Sequence, residues 1–475
     1  MQESIQLETL PHHVQSESHS VDIPHAKPRP ETHVNFPKVR EAPSTTDQSP
    51  FTQTKSEIRT ARIQLATLFW TLFVAGWNDG TTGPLLPKVQ QVYHVNDTIV
   101  SLIFILACVG FIGGACLNVP LSDKYGFGKA LALGAILVSS NSSQALVVTQ
   151  RFHKGASLQT IAYALQSANV PFPVFVLAYT INGVGLSIQD AQANGFVAAL
   201  KENTETKMGF LHAAYGFGAF AAPLVSTQFS QIERWYLQYL CSLGLAVINV
   251  ILIVAVFRFK TQDVCLEQIG QPAGDQETSN GHGTFRQILS HRNVHLMAFF
   301  ILVYVGVEVT IGGWIVTFVR RERHGGPDAG YISSGFFGGL TLGRVVLLWI
   351  NALVGERNAM FLYAVLAIGL ELVVWLVPSL IGGALAVSFV GFLLGPMYPI
   401  TMNYAGRTLP RWILTGSIGW IAGFGQAGSA VFPFMTGALA GKYGIRSLQP
   451  LLVAMMVAMT LLWGVLCVSG KRRKE

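Results

Sequence analysis

The stretch "KALALGAILVSSNSSQALVVTQRFHKGASLQTIAYALQSA", residues 129–168, decides how many membrane spans the chain contains. Both of its ends are apolar, whereas its middle carries Ser, Asn, Gln, Arg, His and Lys. Each apolar end is shorter than the ~20 residues that a helix needs to cross a bilayer. The interpretation of this stretch therefore depends on the rest of the chain.

The composition indicates an integral membrane protein. The chain has 475 residues, of which 51% are hydrophobic and only 12% are charged, and its mean hydropathy is +0.43. A soluble protein of this length would carry about twice that share of charged residues. Apart from the opening stretch, apolar runs of spanning length have centres near Phe73, Leu106, Leu177, Phe217, Val247, Tyr304, Leu340, Ala367, Val390, Gly425 and Met456.

A twelfth span near Leu133 completes an even number, and the predicted fold is an all-α polytopic membrane protein with twelve transmembrane helices in two pseudo-symmetric six-helix bundles. Lys and Arg cluster in loops that then share one side, with "RRERHGG" from Arg320 as the one basic loop on the other side, which predicts that both termini are cytoplasmic. This bias also explains the net charge of +7 without a nucleic-acid partner. The predicted division is a disordered tail over 1–58, a first bundle over 59–258, a cytoplasmic linker over 259–293, a second bundle over 294–470 and a basic tail over 471–475.

An internal repeat supports the two bundles. An offset of 230 residues pairs Gly76 with Gly306, whereas beyond the third helix an offset of 210 pairs Gly218 with Gly428. The first half therefore holds about 20 extra residues, and their place coincides with the polar interruption of the opening stretch.

Removing residues 138–157 joins the two apolar ends into one run of spanning length. We therefore expect these residues to be a recent insertion or a translated intron. The alternative is a true outward loop, in which Asn141 of "NSS" would be a glycosylation site. Sequencing the spliced transcript across these codons would distinguish the two.

Carboxyl groups inside the predicted spans are the main functional candidates. Asp79 lies in the first span and Asp190 in the fourth, where a carboxylate costs about 2.5 to 3.5 kcal/mol on insertion scales. Such residues usually face an aqueous cavity or a partner, so both are candidates for proton coupling or substrate binding. A hydrogen bond between helices or a buried pair with Arg is the structural alternative.

Neighbouring polar and aromatic side chains extend this candidate site. Amides can both donate to and accept from sugar hydroxyls, and indole rings offer an apolar wall. The further candidates are Asn78, Gln189, Gln192, Asn194, Glu308, His212, Tyr215, Trp77 and Trp314. Glu308 occupies the repeat position of Asn78, and ion pairing with Arg344 is its alternative role; ion pairing is also the first expectation for Glu371 in the ninth span.

Several motifs carry a family resemblance. They are "LSDKYGFGK" at 121–129, "GWNDGTTGPLLP" from Gly76, "LSIQDAQANGF" from Leu186, "MGFLHAAYGFGAFAAPL" from Met208 and "VGVEVTIGGW" from Val305. Together they resemble the major facilitator superfamily, and in particular the fungal members of its fucose-permease-like branch. The resemblance implies two bundles that rock about a central cavity, often with proton-coupled sugar uptake. It also implies a gating role for the signature loop, at Asp123, Lys124, Gly126 and Lys129.

The sequence contains no phosphate-binding Gly-Lys-Ser/Thr loop and no paired Cys spacing for a metal, so we expect neither an enzyme nor a cofactor. The expected function is secondary active transport of a small polar solute, most simply a sugar, by proton symport across the plasma membrane. The expected partners are the solute, protons and the lipid bilayer, with the protein as a monomer. A proton-coupled exporter and a transport-inactive homologue or nutrient sensor are the alternatives.

Overall fold

The computed structural model describes residues 54–125, 157–200, 202–258, 260, 262–271 and 281–471. Within these ranges the regular structure is helical and contains no strand. The helices are α1 (Lys55–Tyr93), α2 (Asp97–Val100), α3 (Leu102–Tyr125), α4 (Ser157–Ser167), α5 (Phe172–Ala198), α6 (Thr204–Ser230), α7 (Gln238–Phe257), α8 (Gln262–Glu267), α9 (Gly281–Ser290), α10 (Arg292–Glu322), α11 (Tyr331–Val354), α12 (Glu356–Leu376), α13 (Leu380–Leu394), α14 (Met397–Thr408), α15 (Arg411–Tyr443) and α16 (Leu448–Lys471).

All eleven of the clear apolar runs lie on helices, which confirms the predicted all-α polytopic membrane fold. Nine helical segments of the described ranges are long and apolar enough to cross a membrane. Helices α1 and α15, of 39 and 33 residues, are longer than all nine of these and richer in polar residues and glycine. The run around Val390 is divided between α13 and α14 at Gly395 and Pro396.

The predicted span near Leu133, which brings the count to twelve, is described only in part. Its second apolar end forms the 11-residue helix α4, whereas residues 126–156 lie outside the described residues. The suggested insertion therefore stays a prediction. Its last residue, Ser157, is the first residue of α4.

The two halves of the chain pack in the same way. In the amino-terminal half, α1–α7, helix α1 packs against α6 and α3 against α5. In the carboxy-terminal half, α10–α16, helix α10 packs against α15 and α11 against α13. The halves meet mainly through three helix pairs, α1 with α10, α3 with α15 and α6 with α11, and to a smaller extent through α2 with α15. The first, second and fifth spans of each half therefore supply most of the interface.

Glycine allows backbone contact at the main crossings of both halves. A Cβ atom on Gly218 of α6 would lie 2.0 Å from the Phe73 carbonyl oxygen of α1. A Cβ atom on Gly428 of α15 would lie 2.0 Å from the Leu302 carbonyl oxygen of α10. Gly218 and Gly428 are partners in the repeat, so the two crossings have equivalent geometry.

The two ends of the helix bundle are defined by α1. We call the end with the amino terminus of α1 the proximal end, and the end with Asp97, just beyond its carboxyl terminus, the distal end.

Helix α1 begins with a capping box, because the Thr54 N–H donates to Glu57 and the Glu57 N–H donates to the Thr54 hydroxyl. These bonds from Thr54 lower the pKa of the Glu57 carboxyl.

The linker helix α8 packs onto the proximal end of the amino-terminal half. Cys265, Leu266 and Ile269 are buried in one cluster with apolar side chains of that half, including Phe196 and Phe257. The linker thus starts from a fixed position on the first half.

Candidate transport site

Asp79 lies at mid-depth on α1 and is the centre of a polar network. Its carboxylate accepts a hydrogen bond from the Tyr215 hydroxyl of α6 at 2.5 Å and one from the Asn78 amide at 3.0 Å. The Asn78 carbonyl oxygen accepts from the Asn182 amide of α5 at 2.5 Å and from the Tyr163 hydroxyl of α4 at 3.3 Å. Four helices, α1, α4, α5 and α6, therefore meet in one network that contains Asn78 and the exposed Asp79 carboxylate.

Tight helix packing fixes the Asp79–Tyr215 hydrogen bond. A Cβ atom on Gly76 would lie 1.8 Å from the Tyr215 carbonyl oxygen, and one on Gly80 would lie 2.4 Å from that of Ala219. Because α1 and α6 touch at these glycines, the short Asp79 side chain reaches the Tyr215 hydroxyl. The glycines of "GWNDGTTGPLLP" thus position the carboxylate.

Asp190 lies closer to the proximal end, on α5. The Asn194 amide, one turn along the same helix, donates to its carboxylate at 3.0 Å. The carboxyl groups of Asp190 and Asp79 interact electrostatically, so the two predicted acids are close enough to influence each other's charge.

The carboxy-terminal half contributes an ion pair at a similar depth. Arg344 Nη2 of α11 lies 3.8 Å from Glu308 Oε1 of α10, and the Glu308 and Asp79 carboxyl groups interact electrostatically. Arg344 Nη1 donates to the His212 carbonyl oxygen of α6 at 3.4 Å. The pair between Glu308 and Arg344 that the sequence suggested is therefore present, and Arg344 also links the two halves.

Several predicted site residues lie elsewhere. Gln189 is 2% exposed and belongs to a buried network of the amino-terminal half, in which its amide donates to Gln159 and its carbonyl oxygen accepts from Asn249. Gln192 is also buried. The prediction that Gln189 faces a solute is not supported by this position.

The two tryptophans are buried within their own halves. The Trp77 indole donates to the Ser242 hydroxyl at 3.0 Å, and the Trp314 indole donates to the Pro433 carbonyl oxygen at 3.0 Å. Trp77 is 7% exposed and Trp314 is fully buried. Neither forms the exposed aromatic wall that we predicted, because each N–H is satisfied inside the bundle.

Glu371 of α12 is also buried, and its carboxyl oxygens have no hydrogen-bond partner among the described residues. Its expected ion pair is therefore not found in that part of the chain. In the signature loop, Asp123 and Lys124 lie in the last turn of helix α3, whereas Gly126 and Lys129 lie outside the described residues.

Three residues that the sequence analysis missed belong to the site. Tyr163 and Asn182 bind Asn78, and the Tyr398 ring of α14 lies 6.4 Å from the His212 ring. Asn182 and Asp190 are eight residues apart and share a face of α5. That spacing was the available signal for Asn182.

The two halves are joined at the distal end. Arg321 of α10 donates to both carboxylate oxygens of Asp97 at 2.9 Å, and to the Gln90 carbonyl oxygen at 3.1 Å. The Gln90 amide also donates to Asp97 at 2.6 Å. A Cβ atom on Gly83 of α1 would lie 2.1 Å from the Gly312 carbonyl oxygen of α10, so the distal ends of these helices are in backbone contact.

The described residues contain no group of three or more His, Cys, Asp or Glu side chains that could hold a metal ion. The polar site thus consists of carboxylates, amides, hydroxyls and one Arg. Such groups can hold a proton or form hydrogen bonds with a polyhydroxy solute.

Comparison with known proteins relates this arrangement to a family. The family model of the Major Facilitator Superfamily matches residues 68–411. Bypass of stop codon protein 6 of Saccharomyces cerevisiae is 26% identical over 431 residues, which cover 85% of this chain and 82% of that protein. The glucose/mannose transporter GlcP of Bacillus subtilis is 20% identical over 374 residues, which cover 77% of this chain and 85% of that protein.

Among solved structures, the E. coli fucose:proton symporter FucP has a TM-score of 0.59 to this chain at 15% sequence identity. The match covers 87% of this chain and 99% of that chain. At this identity the likeness shows the fold.

Proposed function

Because the chain belongs to the Major Facilitator Superfamily, we propose that it moves a small polar solute, most simply a sugar, by alternating access with proton symport. The observation that carries this proposal is the Asp79 carboxylate, which is exposed at mid-depth and accepts hydrogen bonds from Tyr215 and Asn78. A carboxylate inside a membrane is expensive unless it faces water, a partner or a proton path. The named relatives that transport glucose, mannose or fucose support a sugar as the solute.

The proposed proton path begins at Asp79 and continues to Asp190 toward the proximal end. The two carboxyl groups interact electrostatically, so protonation of one favours ionisation of the other. Glu308 and Arg344 supply the opposing wall from the other half. We expect the solute to bind between these groups, where amides and hydroxyls can replace its bound water.

The proposed orientation places the proximal end, and both termini, in the cytoplasm at the plasma membrane. The basic residues Lys55, Arg59 and Arg62 at the proximal end of α1 support this orientation. With the halves joined at Arg321 and Asp97, this conformation would then be closed toward the outside. We further propose that the protein acts as a monomer.

The test is solute uptake by the purified full-length chain in proteoliposomes that enclose a pH-sensitive dye. Glucose, mannose, galactose and fucose are supplied outside with an inward proton gradient. We expect uptake of one of them to acidify the lumen. Asp79→Asn and Asp190→Asn should each abolish the acidification, since neither amide can exchange a proton.

Glu233→Gln is the matched control, because Glu233 is an exposed acid in the distal turn after α6. It should leave uptake unchanged. Proton-driven uptake that survives in both Asp variants would overturn the coupling role. Solute efflux driven by an opposite gradient would favour an exporter, and binding without translocation would favour a sensor or an inactive homologue.

A further inference from the structure

A groove on the surface of the carboxy-terminal half, away from the amino-terminal half, has no role in the proposed transport cycle. It lies at the proximal end between the start of α10 and helices α12 and α16, and its volume is about 830 Å³. One end is lined by polar residues that include His291, Arg292 and Asn293. The other end is lined by Phe361, Leu461 and Val465, and Leu461 is 66% exposed on the outer face.

The polar end of the groove is arranged to receive an acceptor group. The Asn293 side chain is 9% exposed and has no hydrogen-bond partner among the described residues, although it lines the groove. Arg292 is exposed, and no carboxylate of the described part of the chain pairs with it. Both lie in the first turn of α10, a helix of 31 residues. The positive end of the helix dipole at this turn favours an anion.

The apolar end continues from this polar end toward the level of the lipid tails. Leu461, Val465 and Val468 are exposed on one face of α16, and neighbouring α12 exposes Leu362 and Val365. A groove that is cationic at the membrane interface and apolar toward the membrane interior matches a phospholipid in both charge and shape. Basic pockets between spanning helices recognise anionic headgroups in this way.

We propose that this groove binds an anionic phospholipid of the leaflet at the proximal end. The phosphate lies at Arg292 and Asn293, and one acyl chain lies along Phe361, Leu461 and Val465. The lipid thereby holds the first turn of α10 against α12 and α16. The proposal concerns lipid binding alone and stands whether or not the chain transports a sugar.

The test measures lipid retention by the purified full-length chain with native mass spectrometry, after exchange into phosphatidylglycerol or phosphatidylcholine. We expect phosphatidylglycerol to be retained, and Arg292→Gln to weaken its binding about tenfold through loss of a charge-assisted contact. Arg286→Gln removes an exposed cation of α9 that does not line the groove, so it is the matched control and should bind as the wild type does.

A second variant tests the apolar part. A Cβ atom on Gly464 would lie 3.9 Å from the Phe361 ring, so Gly464→Trp should fill the groove and remove bound phosphatidylglycerol. Equal retention of the two lipids, with no effect of Arg292→Gln, would overturn the proposal. Displacement of the lipid by millimolar inorganic phosphate alone would also overturn it, because the groove would then be a site for a free anion.

Discussion

Tyr215 links the Asp79 carboxylate to a second helix through one short hydrogen bond. A hydrogen bond to a charged group contributes about 1.5–3 kcal/mol, and 1.4 kcal/mol corresponds to a factor of ten. We therefore expect Tyr215→Phe to lower the initial uptake rate at least about tenfold while the protein still folds. Uptake in proteoliposomes at matched protein content measures this effect.

Tyr363→Phe is the control for Tyr215→Phe. The Tyr363 hydroxyl donates to the Asn351 carbonyl oxygen at 2.7 Å inside the carboxy-terminal half, away from the Asp79 network. Its loss should reduce thermal stability without a comparable loss of uptake. Equal reductions of uptake by both substitutions would assign the Tyr215 effect to general destabilisation.

Part of the site could be predicted residue by residue from the sequence. Asp79, Asn78 and Tyr215 interrupt apolar spans, and the structure brings them together. Gln189 interrupts a span in the same way but lies inside its bundle. A helix of such a bundle has two faces that avoid lipid, one toward the cleft and one toward its neighbours. Both faces tolerate amides, so polarity alone does not distinguish them.

Backbone contact at Gly218 determines how closely helices α1 and α6 can pack. We expect Gly218→Ala to destabilise the protein, because its Cβ atom would lie 2.0 Å from the Phe73 carbonyl oxygen. Overpacking of this kind costs about 1–3 kcal/mol. A lower midpoint of thermal unfolding in detergent measures the effect.

Gly423→Ala provides the comparison on α15. No heavy atom of the described structure lies within 4 Å of a Cβ atom at this position, so the change should be neutral or slightly stabilising. Gly428→Ala should behave as Gly218→Ala does, since it meets the Leu302 carbonyl oxygen at 2.0 Å. Tolerance of alanine at both crossing positions would show that the helices can separate at little cost.

We expect the docking of the linker helix α8 to depend on pH. Burial raises the pKa of the Cys265 thiol from 9.0 to about 11, and nearby Lys260 opposes this only in part. The raised pKa stabilises docking below about pH 9, and this stabilisation is lost as pH rises from about 9 to about 11. Iodoacetamide labelling of the Cys265 peptide at pH 8 should therefore be much slower in the folded protein than after denaturation.

Cys265→Ala tests whether the pH dependence of docking comes from the thiol or from other titratable groups. This variant should remove the loss of linker docking between about pH 9 and about pH 11, as followed by proteolysis of the linker. Fast labelling of Cys265 in the folded chain at pH 8 would contradict the docked position of α8.

The sequence predicted eleven spans as elements because each apolar run has a length that matches a bilayer. It did not predict the break between α13 and α14 at Gly395 and Pro396, although a Gly-Pro pair is a known helix breaker. The long apolar run around that pair outweighed it. The predicted span near Leu133, third in chain order, reached spanning length only after residues 138–157 were removed, as the repeat suggested. Its described part, α4, has only 11 residues.

For the whole molecule, the polar contact of Arg321 with Asp97 stabilises closure of the distal end. Arg321 is 43% exposed, so we take its contribution as about 1 kcal/mol, which corresponds to a roughly fivefold shift between closed and open forms. We expect Arg321→Gln to increase the population with a long distance between spin labels at Ile99 and Tyr443. Double electron–electron resonance spectroscopy on an otherwise cysteine-free chain measures this distance.

Arg446→Gln is the control for this closure. Arg446 pairs with Glu322 at the same end, but both residues belong to the carboxy-terminal half. Its loss should leave the distance distribution unchanged. If both substitutions opened the distal end equally, the effect would come from the surface charge and not from the contact between the halves.

The exposure of Arg321 also affects how the protein responds to its surroundings. Dissolved ions reach this pair on the Arg321 side, since the Asp97 side chain is only 9% exposed, and the Debye length falls from about 30 Å at 0.01 M to about 3 Å at 1 M ionic strength. If the distal end faces the medium, a low ionic strength would strengthen this closure and a high ionic strength would weaken it. A cell that moves between fresh and salt water would then change the resting state of the carrier directly, without a signalling pathway or new protein synthesis.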